Sequence, residues 1–154
     1  MRIVARKSTL TPFLLAALLC LGGCASVHSP GPPDLSRPDI TDLQALLDQN
    51  PVAPGEAVRI TRLVDSPDMS GILVQVRSSM PPHFHKLTQE VVYMLRGEGI
   101  LQLGTERIPI TTGAVVRIPA GIVHTFTNQS PAPAVFFVVT TPRWDEQDRF
   151  TVKD

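Results

Sequence analysis

His83 and His85, one residue apart, and Glu90 just beyond them are the side chains of this chain best suited to hold a divalent cation. Residues two apart in a strand share a face, so both imidazoles aim at one point while Phe84 points away. Glu90 has the wrong parity for the same continuous strand. A turn at Lys86–Gln89 brings it back beside the histidines from the next strand, and two imidazoles and a carboxylate then converge as three metal ligands. A His-x-His pair alone is also what satisfied core or surface histidines look like. The second segment adds weight to the metal reading. Pro119 and Gly121 suit a tight turn, and His124, on the strand that follows, is placed to supply a fourth ligand from across a barrel. No Ser or Cys motif builds a nucleophilic triad, and Gly97 and Gly99 are expected in a hairpin rather than in a phosphate-binding loop.

The elements that must position these groups are strands. From Glu56 onward β-branched residues are dense and turn residues interrupt every five to ten positions. Strands are predicted at 57–64, 71–77, 81–85, 90–95, 99–103, 106–110, 114–118, 122–127 and 134–141, a spacing that argues for an all-β sandwich or closed barrel. The 15 prolines, against one Trp and one Tyr, argue against a helical bundle. One short amphipathic helix is predicted in 39–50, where Thr41 and Gln44 read as a capping box and Ile40, Leu43, Leu46 and Leu47 recur at helical spacing. Val92 and Met94 share the parity of Glu90, and Phe126 that of His124, so these three are expected to line an apolar pocket; plain barrel core is the other role such residues take. Gln75 and Arg77 lie on one face of their strand, which offers either a pocket contact to an anionic or hydroxylated ligand or a place in solvent. Trp144, Asp145, Glu146 and Asp148 are expected in a solvated turn or short helix closing the barrel.

Two longer patterns carry a resemblance. His83, His85, Glu90 and Gly97 fit G-x5-H-x-H-x3-4-E-x6-G, and Gly113, Pro119, Gly121, His124 and Asn128 fit G-x5-P-x-G-x2-H-x3-N at every position. The chain thereby resembles the cupin superfamily over about residues 57–141, in the manner of its compact single-barrel members. Arg77 stands where the first pattern opens with glycine, which bears on local loop shape rather than on ligation. The resemblance implies a double-stranded β-helix, the cupin jelly-roll barrel, with His83, His85, Glu90 and His124 as ligands of one divalent metal. Three neutral imidazoles and one carboxylate leave a 2+ ion at net +1 and suit Fe, Mn, Ni, Cu or Zn better than Ca or Mg. It also implies two classes of function: a metal-dependent enzyme, dioxygenase-like or an isomerase, acting on a small organic molecule, or a non-catalytic binder of a metal or small metabolite.

The N-terminus has its own pattern. Arg2, Arg6 and Lys7 precede an apolar run of about 12 residues, the layout of a secretory signal peptide and short of the ~20 that a spanning helix needs. The run ends Leu21-Gly22-Gly23-Cys24, which resembles a bacterial lipobox with Cys24 as the lipidated residue. Residues 1–23 then read as signal peptide, 24–38 as a Pro/Ser/Gly-rich tether carrying His28, 39–50 as the helical segment and 56–154 as the barrel. Cleavage leaves 11 of the 14 basic residues against all 14 acidic ones and no cysteine but Cys24. Ala25 after the cysteine favours the outer membrane, facing the periplasm, in a Gram-negative source. The expected partners are a small-molecule ligand and the membrane through the lipid on Cys24, with a homodimer allowed. The balanced charge shows no basic stripe for nucleic acid, and high-charge disorder is excluded.

Overall fold

A computed structural model describes residues 39–152. The expected signal peptide, the tether, Cys24 and His28 lie outside the described residues. Helix α1 (Leu43–Gln49) is followed by strands β1 (Val58–Asp65), β2 (Ser70–Val76), β3 (His83–His85), β4 (Gln89–Arg96), β5 (Glu98–Leu103), β6 (Glu106–Thr111), β7 (Val115–Ile118), β8 (His124–Asn128), β9 (Ala134–Thr141) and β10 (Arg149–Thr151). They form two five-stranded sheets in the orders β1-β2-β9-β4-β7 and β10-β3-β8-β5-β6, every pairing antiparallel. The fold is all-β, a jelly roll with one short helix, and β1 to β9 stand within two residues of the predicted strands.

Alternation sets what the sheets enclose. Ile72, Val74 and Val76 of β2 face Val138, Phe136 and Ala134 of β9 in register and are buried together. Leu101 of β5 pairs with Phe126 of β8 in the other sheet. Phe126 then meets Phe136 edge to face across the interior, ring centroids 4.8 Å apart at 82°. Full burial of side chains this large is worth about 1.5–3 kcal/mol each, so these layers hold the two sheets together.

Gly97 does not turn a hairpin, whereas Gly99 lies on β5 in the hairpin that β5 makes with β6. β4 and β5 belong to different sheets, and Gly97 turns the corner between them at φ +100°, where a Cβ would lie 3.1 Å from the Ala134 backbone. A strand that changes sheets needs a sharper bend than a two-strand turn, and a positive φ supplies it. At Gly99 a Cβ would stand 2.4 Å from the Phe126 ring, so its absence is what lets that ring reach the core.

Helix α1 departs from expectation in two ways. Its N-cap is Asp42, not Thr41, and the Asp42 carboxylate accepts from the Gln44 and Ala45 amides at 2.9 and 3.0 Å. None of its residues is buried, and Ile40 is 95% exposed. The helix is held by polar contacts instead: the Arg96 guanidinium donates to Gln44 Oε1 at 2.7 Å, and β2 grips the segment just after it. Among the described residues no helix is long and apolar enough to cross a membrane.

Candidate metal centre

β3 and β8 lie side by side with His83 opposite His124. Cross-strand partners share a face, so this register and the parity of β3 bring His83, His85 and His124 to one point on the inner side. Each offers a nitrogen within 4.8 Å of the others, and all three are buried. The His83 and His124 rings are closest, with centroids 4.2 Å apart.

Each imidazole is oriented by a backbone carbonyl. Nδ1 of His83 donates to Pro81 O at 2.9 Å, Nδ1 of His124 to Ile122 O at 2.9 Å, and Nδ1 of His85 to Asp148 O at 3.1 Å. A carbonyl only accepts, so the proton of each neutral ring is on Nδ1 and the lone pair is on Nε2. Glu90 stands where the turn back from β3 was expected to put it. Its Oε1 is 3.4 Å from His85 Nε2 and its Oε2 is 3.5 Å from His124 Nε2. Lone pairs of carboxylate and imidazole facing each other at such distances repel unless a cation, proton or metal, lies among them. The donor set therefore fits a transition metal, with the second ring nitrogens already fixed as second-sphere donors.

Burial pushes the His83 pKa down to about 3, assisted by His124 and Arg149, so its ring is neutral in ordinary buffers. Burial also lowers His85, against the pull of the Glu90 charge. At Glu90 burial opposes ionisation, yet the imidazoles of His124, His85 and His83 around it hold the carboxyl below its usual range. Neutral rings at His83 and His85 beside an ionised Glu90 are protonation states that a metal requires.

The turn between β3 and β4 depends on the C-terminal segment. The Asp148 carboxylate accepts from the amides of Lys86, Leu87 and Thr88 at 3.0, 3.1 and 2.9 Å, while its own carbonyl orients His85. Burial disfavours the Asp148 charge, but those donors and the Thr88 side chain keep its pKa low. From the other pattern, the Gly121 amide donates to His85 O at 2.6 Å, with Gly121 at φ +83°. Asn128 secures the following loop through Arg77 O, Ser130 and Ala132 O.

Beside this cluster is a cavity of about 80 Å³, on a measure where one water needs ~10–15 Å³. It has room for one small organic molecule. Val92 and Phe126 line it, as do Ile72, Val74, Phe136 and Val138. Met94 does not; it continues the face of Glu90 and Val92 deeper into the core and is 1% exposed. Gln75 does not either. It alternates with Val74 and Val76, which face the interior, and its Nε2 donates outward to Asn50 O at 2.8 Å. Arg77 likewise donates to Val52 O at 2.6 Å, and its backbone has no positive φ, so glycine is not required there. Parity pairs residues correctly but does not say which face is inside.

Arg149 was not named in the sequence, and Trp144 and Asp148 were expected in a solvated turn rather than beside the site. Trp144 is buried against the cavity, Asp148 acts as above, and Arg149 lines the cavity from β10. The expected short helix does form, as a 3-10 turn at Glu146–Asp148. It is not a solvated appendage, because β10 after it pairs with β3. The polar letters of this segment carry no hydrophobic period that would announce a strand.

A family model described as "Cupin domain" matches residues 72–140. An uncharacterized protein of Aquifex aeolicus (strain VF5) is 28% identical over 118 residues, covering 77% of this chain and 96% of that one. TT1209 from Thermus thermophilus, a solved structure, is 31% identical with a TM-score of 0.59, covering 68% of this chain and 98% of that chain. Streptomyces Pac13, a nucleoside dehydratase, is similar in fold at 20% identity and a TM-score of 0.55, covering 63% of this chain and 79% of that chain.

Proposed function

We propose that this chain, whose residues 72–140 match a cupin domain model, holds one divalent transition metal through His83, His85, Glu90 and His124, serving dioxygenase-like chemistry on a small organic molecule. The observation that carries this reading is the convergence of three carbonyl-oriented imidazoles and an ionised carboxylate beside a cavity. When bound, Fe, Mn, Ni, Cu or Zn supplies a Lewis acid and, where redox-active, a site for dioxygen chemistry. The chain's own residues set the conditions. Glu90 brings the charge of the centre to +1, the backbone carbonyls keep the ring nitrogens aimed, and Val92, Phe126 and Phe136 exclude bulk water.

A non-catalytic binder is the second reading, and one observation favours it. Among the described residues, apart from the four proposed ligands, the side chains with polar groups that line the cavity are Thr125, whose hydroxyl is bonded to Met80 O, Trp144 and Arg149. No separate general acid or base stands there. Pac13 has this fold and is a dehydratase, so the fold does not choose the reaction. Elemental analysis of the purified protein is expected to find about one metal per chain, lost in a His83→Ala/His85→Ala double variant and weakened by Glu90→Gln. Oxygen-uptake screening with that metal restored then separates the readings: turnover abolished by His124→Ala supports the enzyme, and ligand binding without consumption supports the binder. Stoichiometric metal in the double variant overturns the site.

We also propose that the barrel is carried at the cell envelope, on the outer membrane facing the periplasm in a Gram-negative source, by lipid on Cys24. The support is the sequence Leu21-Gly22-Gly23-Cys24 and the Pro-rich stretch after it. Cys24→Ala is expected to release a folded barrel from the membrane fraction. A variant that resists high-salt washing points to an uncleaved anchor.

A further inference from the structure

Arg149 enters the site from a strand that sequence reading did not contain. β10 runs antiparallel to β3 with Arg149 opposite His85, Phe150 opposite Phe84 and Thr151 opposite His83. Partners in register share a face, so the side of β3 that presents the histidines is also the side on which β10 presents Arg149. The other face is fixed by a stack of Phe84 on Phe150, centroids 5.4 Å apart, with Lys86 Nζ 4.2 Å from the Phe150 ring. That outer contact sets the roll of β10 and keeps the guanidinium turned inward.

Two arginines are half-buried among the described residues, Arg59 and Arg149. Arg59 is paired with Glu56 at 2.7 Å. Among the described residues the Arg149 guanidinium has no carboxylate within 4.0 Å and no hydrogen bond. The acid that shares its cavity, Glu90, is turned to His85 and His124 instead. A half-buried guanidinium gains from an anionic partner that fills its N–H groups in place of water, and Arg149 lines the same cavity as Glu90 and the three histidines.

We infer that Arg149 is a specificity-determining residue for a carboxylate, and that the cavity takes a small organic acid with an apolar body. The planar fork of the guanidinium matches a carboxylate in two parallel hydrogen bonds. Val74, Phe136 and Val138 opposite it favour an aliphatic or aromatic body, and a hydrated inorganic anion gains nothing from them. Placing that acid beside a metal rests on the reading of the preceding subsection; the pairing of Arg149 with a carboxylate does not.

The test uses the full chain loaded with Co²⁺ and titrated with benzoate, butyrate and their amides, read by the cobalt absorption spectrum and by calorimetry. The acids are expected to bind at least tenfold more tightly than the amides. Arg149→Gln should reduce that preference below twofold with cobalt stoichiometry unchanged, and Arg149→Lys should retain part of it. Equal affinity for acid and amide, equal acid affinity in wild type and Arg149→Gln, or no binding of any acid overturns the inference. If the wild-type chain takes up no cobalt, the metal reading fails by itself, and the acid-over-amide preference measured by calorimetry on the metal-free protein decides the role of Arg149.

Discussion

Helix α1 and the segment from Pro142 to Val152 flank the same barrel, and they are attached to it in opposite ways. Helix α1 brings Leu43, Leu46 and Leu47 yet buries none of its residues, and its exit is tied to the outer side of β2 by Gln75 and Arg77. The C-terminal segment is rich in polar residues yet buries Trp144 and Asp148 and turns Arg149 into the cavity. Apolar letters did not anchor the first, and polar letters did not expose the second. What separates them is the fate of backbone groups: β10 extends a sheet, and Asp148 satisfies three amides of the β3–β4 turn. Backbone donors that have no other partner inside a fold are expensive to abandon, and that fixes a segment more firmly than three half-exposed leucines.

The sharpest way to break this contrast is Asp148→Ala. It strips the acceptor from three amides without touching the carbonyl that orients His85. Hydrogen bonds to a charged group are worth about 1.5–3 kcal/mol, and donors left unsatisfied cost a further amount of that order. The expected loss is about 3 kcal/mol, which lowers the Tm by roughly 10 °C, with weaker metal retention as the turn carrying His85 loosens. Asp148→Asn keeps one acceptor oxygen and should fall between. A variant that melts like wild type would reduce the C-terminal segment to a surface strap.

How much of this was legible in the sequence follows from the same distinction. His83, His85 and Glu90 were readable because their spacing encodes strand parity and one turn, both local, whereas His124, which reaches His83 only through the pairing of β8 with β3, was readable from its own motif. Val92 and Phe126 followed from parity to the ligands. Gln75 was misplaced because β2 is buried on both faces, from Leu73 to Val76, so alternation offered no polar side to mark the outside. Met94 kept the right face but lay too deep, since depth along a strand depends on where the opposing sheet closes. Arg149 and Asp148 were hidden because their positions depend on the pairing of β10 with β3, a long-range register that no short window of sequence contains. The hairpin expected at Gly97 failed for the same reason: whether β4 and β5 share a sheet is a question of topology.

A smaller effect is expected from pH, and it separates the histidine wall from the helix again. Unfolded, His83 titrates near 6.5; folded, burial holds it at about 3. Below pH 6.5 the unfolded chain takes up a proton that the native metal-free barrel refuses, so stability is full above 6.5 and falls as pH drops toward 3. One proton corresponds to about 1.4 kcal/mol per pH unit. Asp148, with its pKa lowered from 3.8, adds to the loss only below that value. Urea unfolding of metal-free protein at pH 7, 6 and 5 should show this slope, and His83→Gln, which cannot titrate, should reduce it to the part that His85, also lowered by burial, supplies. An unchanged slope in that variant would mean that His83 is already protonated in the native barrel.

The smallest effect is expected at the other flank. Asp42 caps helix α1 with two hydrogen bonds, and an N-cap is typically worth about 1 kcal/mol when replaced by alanine. In a helix this short, with no buried side chain, that energy belongs to the helix alone, because isolated helices below ~12–15 residues are marginal in water. The helix can therefore open while the barrel stays folded. Asp42→Ala should leave the Tm within about 1–2 °C of wild type while hydrogen exchange at the Leu46 and Asn50 amides, which bond to Asp42 O and Leu46 O, speeds about fivefold. A drop of several degrees would show that the helix is cooperative with the barrel after all. The grip of Gln75 on Asn50 and of Arg77 on Val52 would then be structural anchors of the same rank as Asp148, and the contrast between the two flanks would disappear.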